Sequence, residues 1–439
     1  MQHESPQGGR PRVVIIGGGF GGLSAARALR GADVSVTLID RTNHYLFQPL
    51  LYQVATGVLS PADIAVPIRF LLRRQRNATV LLAEVDGIDV ARRTVDAGGL
   101  IVPFDYLILA TGSRHAYFNH PEWEALAPGL KTLEDARVIR HRFLRAFELA
   151  EKSSDAAEQQ ALLTFVIVGG GPTGVELAGV LPTIAAKGLR PDFRRVDPAS
   201  VRVLLLEGGP RLLPTFPESL SARALHDLET LGVQCRLNAL VTRITTDCVY
   251  VGDERVLTRT VYWAAGNAAS PLVRSLGVAT DRAGRALVAP DLSIPGTPHV
   301  FVAGDAAAVS GVPGVAAAAN QMGTHASRMI LRTLAGKPPE PFRYWNKGAL
   351  AVIGRNRAVA DFGRLKVAGL LGWWMWVGIH IAYLAGFRNR LSVMLEWAYA
   401  YITFRPGARL ITEEEHTARI ESPARFRDSS QSRNNVSER

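Results

Sequence analysis

The stretch RVVIIGGGFGGLSAARALRGADVSVTLID, Arg12 to Asp40, decides the fold. Its first residues, RVVII, form a short apolar run that reads as a buried strand. GGGFGG follows at once, and an Ala/Leu-rich helix is expected from Leu23 to Arg30. VSVTLID, Val34 to Asp40, reads as a second strand. Gly17, Gly19 and Gly22 fit GxGxxG, with Gly18, Phe20 and Gly21 completing the loop. The first glycine permits a tight turn, the second lets backbone approach a pyrophosphate, and the third lets helix pack on strand. The pyrophosphate would face the N–H groups of the helix N-terminus. Asp40, with Arg41 beside it, ends the second strand and is placed to accept bonds from a ribose.

The same pattern returns further along. LLTFVIV (Leu162 to Val168) reads as a strand, GGGPTG as a turn, Val175 to Lys187 as a helix, and VRVLLLE (Val201 to Glu207) as the next parallel strand. The glycines are now Gly169, Gly171 and Gly174, and the strand-end acid is Glu207. A carboxylate there welcomes a 2′-hydroxyl and repels a 2′-phosphate, which favours NADH over NADPH. Strand Tyr106 to Leu109 runs into Ala110, Thr111 and Gly112. VYWAAG (Val261 to Gly266) repeats that strand and small-residue turn, and HVFVAGDAA (His299 to Ala307) is a further strand leading to Asp305. Two such units in one chain suggest a resident flavin facing an exchanging nicotinamide, with hydride transfer between them.

At 439 residues the chain has room for two or three domains. Apolar residues make up 47% and charged residues 20%, which excludes a mostly disordered or fibrous chain. Two cysteines, Cys235 and Cys248, exclude a disulfide framework and a CxxC motif. Both fall within the second unit and read as packing residues, which argues against dithiol and sulfide-oxidising flavoproteins. No metal site is expected. The N-terminal MQHESPQGGRPR has no apolar core of a secretory signal, so a cytosolic bulk is expected. Residues 150–160 (AEKSSDAAEQQ) read as a polar linker, a second seam lies near 281–289, and the last 27 residues read as disordered.

The net charge is +11. Residues 343–412 hold ten Lys/Arg against Asp361 and Glu396, and five of the seven tryptophans. Aromatic, apolar sequence flanked by base fits a membrane surface better than nucleic acid, for which no motif is present. Residues 367–387 carry His380 as their one ionisable side chain. Leu370, Trp374, Val377, Ile381 and Leu384 are expected on one helix face, and Trp373, Trp376, His380, Tyr383 and Phe387 on the other. A second stripe follows at Leu391, Leu395, Ala398 and Ile402. Two helices lying in one leaflet are expected rather than a span, with a buried dimer or core surface as the other reading.

With these residues in view, the first loop together with NHYLFQPLLYQVATG (Asn43 to Gly57), the second loop as GGGPTGVELAG, VFVAGDAA, and GWWMWVGIHIAYLAGFRNRLS resemble type II NADH:quinone oxidoreductases. The resemblance runs from about Arg12 to Ile411. It implies an α/β fold with two Rossmann-like dinucleotide-binding domains of the FAD/NAD(P)-linked reductase type and a C-terminal amphipathic helical membrane-binding segment. The implied parts are a loose arm at 1–11, a discontinuous FAD domain at 12–160 and 283–345, an NADH domain at 161–282, a membrane segment at 346–412 and a tail at 413–439. NADH would pass hydride to non-covalent FAD, and two electrons would go on to a membrane quinone without proton pumping. Carried over by position, Gly17 to Gly22 and Asp40 would hold FAD, with Val85 and Ala110 to Gly112 on its adenine side and Asp305 at the ribityl or pyrophosphate end. Gly169, Gly171, Gly174, Glu207 and Gly266 would serve NADH. Glu176 would position or handle a proton, a first-turn acid stabilised by the helix dipole being the plainer reading. The family's A-Q-x-A-x-Q reads here with Ala316, Ala319 and Gln321 in place but Ala317 for the first glutamine. Ala316 and Ala317 would still meet FAD through backbone, and Gln321 is the remaining polar candidate for a quinone. Ala317 keeps open an NADH-responsive regulatory protein or a reductase for another acceptor. The implied location is peripheral, on the cytoplasmic face of the inner membrane, and a homodimer stays open.

Overall fold

The computed structural model describes residues 9–403 and 407–411. Most of the arm expected at 1–11 and all of the tail at 413–439 lie outside the described residues. Strands Arg12–Ile16, Ser35–Asp40, Ala78–Leu82, Tyr106–Leu109 and Thr297–Val302 form one parallel sheet, edged by the antiparallel Ser293–Ile294. Val13 pairs with Val36 on one side and Tyr106 on the other, so the first strand is central. That is why Val13 to Ile16 are all buried: a parallel strand covered on both faces needs a continuous apolar run. The chain leaves this sheet after Leu109 and rejoins it at Ser293.

Between these points it builds a second parallel sheet, ordered Val233–Arg236, Arg202–Leu206, Thr164–Val168, Thr260–Trp263. Helix Leu133–Lys152 seals one face of it. Phe143, Phe147, Phe165 and Tyr262 form a ring cluster there, with centroids 5.2 to 6.4 Å apart. The stretch read as a linker, 150–160, is largely helical. Helix Leu133–Lys152 reaches into it and helix Ala156–Leu162 follows, opened by the Asp155 carboxylate accepting the Ala157 N–H at 2.9 Å. Ala, Glu and Gln are good helix formers, and the Ser-Ser-Asp step supplies a cap rather than a break.

The C-terminal segment begins with an antiparallel sheet, Ala349–Gly354, Arg357–Asp361 and Lys366–Ala368. It lies on helix Pro172–Thr183, so closely that a side chain at Gly179 would overlap the Ile353 carbonyl. Two helices follow, Gly369–Tyr383 and Phe387–Thr403. The apolar run at 367–387 is therefore not one helix. Its first residues are strand, and Leu384 turns extended before Gly386 adopts a φ of +87°. The first helix has 15 residues, about 22 Å at ~1.5 Å per residue, and no helix among the described residues is long and apolar enough to cross a membrane.

The break also corrects the expected faces. Leu384 and Trp376 are both buried, while Leu370, Leu371, Trp374, Tyr383 and Phe387 are exposed. Leu391, Leu395, Ala398 and Ile402 do share an exposed stripe. The opposite side of that helix is attached, through hydrogen bonds as well as the buried Val393. Asn389 donates to the carbonyls of Ala62 and Asp63 at 3.1 and 2.9 Å, Ser392 to Asp63 at 2.7 Å, and Trp397 Nε1 to Gln53 Oε1 at 2.6 Å. Its inward face sets these polar anchors around the buried Val393, and its outward face carries the apolar stripe.

Candidate functional site

Both glycine loops are built alike. Gly17 and Gly169 have φ of +101° and +112°, a region that strains any side chain. A Cβ at Gly22 would overlap the Gly17 carbonyl, and one at Gly174 the Gly169 carbonyl. These contacts seat helices Phe20–Ala28 and Pro172–Thr183 directly on their strands. A Cβ at Gly19 or Gly171, by contrast, would meet nothing. Each is the residue before its helix, so both helices open onto free space with unpaired N–H groups at the rim.

The strand-end acids complete the symmetry. Gly18 N–H donates to Asp40 Oδ2 at 2.6 Å, and Gly170 N–H to Glu207 Oε2 at 2.6 Å. The second oxygen of Asp40 accepts from Thr42 N–H at 2.6 Å and that of Glu207 from Gly209 N–H at 2.6 Å. Asp40 Oδ1 also accepts from Thr42 Oγ1 at 2.7 Å, so Asp40 Oδ2 and both Glu207 oxygens are the ones that keep a lone pair for a ribose hydroxyl. Arg41 is exposed beside Asp40, and Val85 and Ala110 are buried. Thr111 Oγ1 is buried with no hydrogen-bond partner. A buried hydroxyl with no partner beside the first loop is what a dinucleotide would satisfy, and both loops open a helix N-terminus with a carboxylate behind it, so the residues fit FAD at the first loop and NADH at the second.

The two small-residue turns meet. Strand Ser113–His115, just past Gly112, pairs antiparallel with Asn267–Ala269, just past Gly266, with Ser113 opposite Ala269. This short ribbon ties the two dinucleotide units together. It also places Ser113, which donates to Asp305 Oδ2 at 2.8 Å and accepts from Lys131 Nζ at 3.0 Å. Burial lowers the Lys131 pKa, while the carboxylates of Asp305 and Asp135 pull it back up. Sequence reasoning missed Ser113 and Lys131. The one available signal was a lysine directly ahead of the capping box Thr132/Asp135, whose carboxylate accepts from Lys131 and Thr132 N–H at 2.9 Å.

Glu176 is not in the first turn. The helix starts at Pro172, with no acid in that turn, so the helix-dipole explanation lapses. Burial pushes the Glu176 pKa up to about 8, partly offset by the Val352 N–H. Tyr52 lies near enough to feel its charge, and burial drives the Tyr52 pKa well up. Tyr52 OH accepts from Gln53 Nε2 at 2.8 Å, and Gln53 Oε1 holds Trp397. A polar chain thus runs from the last helix toward Glu176.

Helix Ala316–Leu334 crosses the first glycine helix, with Gly323 against the Gly21 carbonyl and Ser24 donating to Asn320 at 2.8 Å. Ala316 and Ala317 are its first two residues, at its open N-terminus near Asp305 and Gly314. Gln321 departs from expectation. Its Oε1 accepts Trp345 N–H at 2.9 Å, and its Nε2 donates to Trp345 and Ala317 carbonyls at 3.0 and 3.2 Å. Both amide hydrogens are spent, so the side chain clamps the start of the C-terminal segment and has no donor left for a quinone carbonyl.

Fold and site together define a reductase with two dinucleotide-binding units. Residues 11–323 match the family model described as pyridine nucleotide-disulphide oxidoreductase, and residues 346–406 match the NDH2 C-terminal domain. The chain is 44% identical over 434 residues to the Mycobacterium tuberculosis protein named type II NADH:quinone oxidoreductase NdhA, covering 95% of this chain and 92% of that one. It is 45% identical over 426 residues to the same organism's type II NADH:quinone oxidoreductase Ndh, covering 93% and 92%. Its fold matches the structure of NDH2 from Plasmodium falciparum in complex with NADH, with a TM-score of 0.83 at 19% identity over 92% of this chain and 100% of that one. The chain belongs to the type II NADH:quinone oxidoreductase family.

Proposed function

We propose that this chain oxidises NADH and reduces a membrane quinone through tightly but non-covalently held FAD. The observation that carries this is the doubled loop: two open helix N-termini, each with its carboxylate locked to the loop, joined by one ribbon. When bound, FAD supplies the chemistry of accepting hydride from NADH and releasing two electrons to the quinone. The chain's part is to bind and orient. Gly17 to Gly22, Asp40, Thr111 and Asp305 would hold FAD, and Gly169, Gly171, Gly174, Glu207 and Gly266 would hold NADH. Glu176, neutral near pH 7 because burial disfavours its charge, would keep a proton at its carboxyl for the two-electron reaction.

On this reading residues 12–160 with 283–345 form the FAD half and 161–282 the NADH half. The exposed stripe of Leu391, Leu395 and Ile402, with Leu370, Leu371 and Trp374, rests on the bilayer, and the protein sits peripherally on the cytoplasmic face. Anaerobic rapid mixing of flavin-loaded protein with NADH tests the first half: the flavin absorbance should bleach. A quinone added next should restore it. A chain that bleaches once and is not restored by any quinone is an NADH-responsive regulator instead.

A further inference from the structure

Beside helix Ala316–Leu334 lies a cavity of about 740 Å³, walled by Ala317, Asn320, Gln321 and Thr324 from that helix, so that it adjoins the Ala317/Gln321 motif, and by Arg343, Lys347 and Tyr383 from the C-terminal segment. Its charges are unbalanced. The lining acid, Glu340, is already paired with Arg332 at 2.8 Å and Arg328 at 3.5 Å. His325 is engaged through both ring nitrogens, by Glu340 O and Arg328, each at 3.1 Å. Neither Arg343 nor Lys347 has a carboxylate partner among the described residues. Lys347 donates to Tyr383 OH at 3.2 Å, with its ammonium 5.4 Å and 5.5 Å from the Trp345 and Tyr383 ring centres. The two rings beside Lys347 are open: Trp345 is 72% and Tyr383 53% exposed.

We propose that this cavity holds the anionic headgroup of a membrane phospholipid, with Arg343 and Lys347 contacting its phosphate. Two unpaired cations inside an aromatic rim match the depth at which a bilayer places phosphate above its first apolar layer. A quinone carbonyl accepts a hydrogen bond from one cation but brings no charge to balance two, and a short-chain quinone separates the two ligands experimentally. The inference rests on the bilayer reading above and adds the lipid class and the residues that recognise it.

The test uses flavin-loaded full chain and flotation with phosphatidylcholine vesicles, with and without phosphatidylglycerol. Arg343→Gln with Lys347→Gln is compared with Arg364→Gln with Lys366→Gln, an exposed pair from the same segment outside the cavity. Diffuse surface attraction costs about fivefold per base removed, the same for either pair. A built site costs the cavity pair the preference for phosphatidylglycerol, roughly tenfold beyond the control pair. Monomeric dihexanoyl-phosphatidylglycerol should also perturb tryptophan fluorescence saturably, and the signal should vanish in Trp345→Phe. Equal losses for the two pairs overturn the inference and spare the bilayer reading. So does a fluorescence change with a short-chain quinone but none with the lipid. Binding to neither vesicle defeats both.

Discussion

Asp40 and Glu207 perform one task in two sheets. Each carboxylate holds one loop N–H, that of Gly18 or Gly170, at 2.6 Å and so fixes the loop ahead of its helix N-terminus. A charged acceptor is needed because Glu207 faces two N–H donors, Gly170 and Gly209. Glu207→Gln turns an amide NH₂ against one of them and loses a charge-assisted bond, about 2 kcal/mol or roughly thirtyfold. Steady-state kinetics should show kcat/KM for NADH falling by that order and the preference over NADPH collapsing with it. Glu176 carries the pH dependence. Its folded pKa of about 8 lies above the unfolded value of about 4.3, so its contribution is full below the lower value and is lost as pH climbs through 8. Glu176→Gln keeps the neutral shape without the titration. Thermal melts should therefore show the variant gaining on the parent between about pH 4.3 and 8. If the two Tm profiles run parallel across that range, Glu176 is not buried as an acid.

Two helices do work their own sequence does not announce. Helix Ala316–Leu334 meets the first glycine helix through Gly323 and Gly21, where backbone touches backbone. Gly323→Ala forces them apart, a cost of about 1–3 kcal/mol, and FAD retention should fall with Tm because the FAD loop opens that glycine helix. Helix Phe387–Thr403 keeps a second apolar stripe outside: Asn389, Ser392 and Trp397 bind it to the protein around the buried Val393, and Leu391, Leu395 and Ile402 face out. Asn389→Ala leaves the carbonyls it bridges short of a donor, and Trp397→Phe leaves Gln53 Oε1 unpaired. Each should cost about 1–3 kcal/mol in unfolding free energy, whereas an exposed-face change should cost under about 0.5 kcal/mol.

At the scale of the molecule, the ribbon Ser113–His115/Asn267–Ala269 and the chain of Glu176, Tyr52, Gln53 and Trp397 join parts distant in sequence. A truncation at Val367 is a poor test of membrane attachment, because it strips Trp376, Leu384 and Val393 from the core. Leu391→Ser with Leu395→Ser and Ile402→Ser leaves the packed face intact. Membrane recovery should drop while Tm holds. Unchanged recovery would assign the stripe to another surface, and a shift in sedimentation would point to a second copy.

Local order was legible from the residues. A glycine loop between a buried strand and a helix has few conformations that satisfy its backbone, so both units, both acids and the apolar C-terminal stripe were readable from spacing. The polar stretch at 150–160 was misread because helix formers and linker residues overlap in composition, and a cap looks like a break until its acceptor is seen. The hydrogen-bonding roles of Gln321, Ser113 and Gln53 are not readable from the residues, and Lys131 shows only its place ahead of a capping box. Hydrogen-bond partners such as Ser113–Asp305 and Gln53–Trp397 lie 192 and 344 residues apart, even Gln321–Trp345 spans 24, and pairing depends on which backbone or side chain the fold delivers to each polar group. The sequence alone determined two nucleotide units and an apolar tail, since periodicity and backbone sterics are local. Only the tertiary structure decided which polar groups are free for chemistry and which are consumed in holding the fold, because burial and partnership are properties of the folded chain.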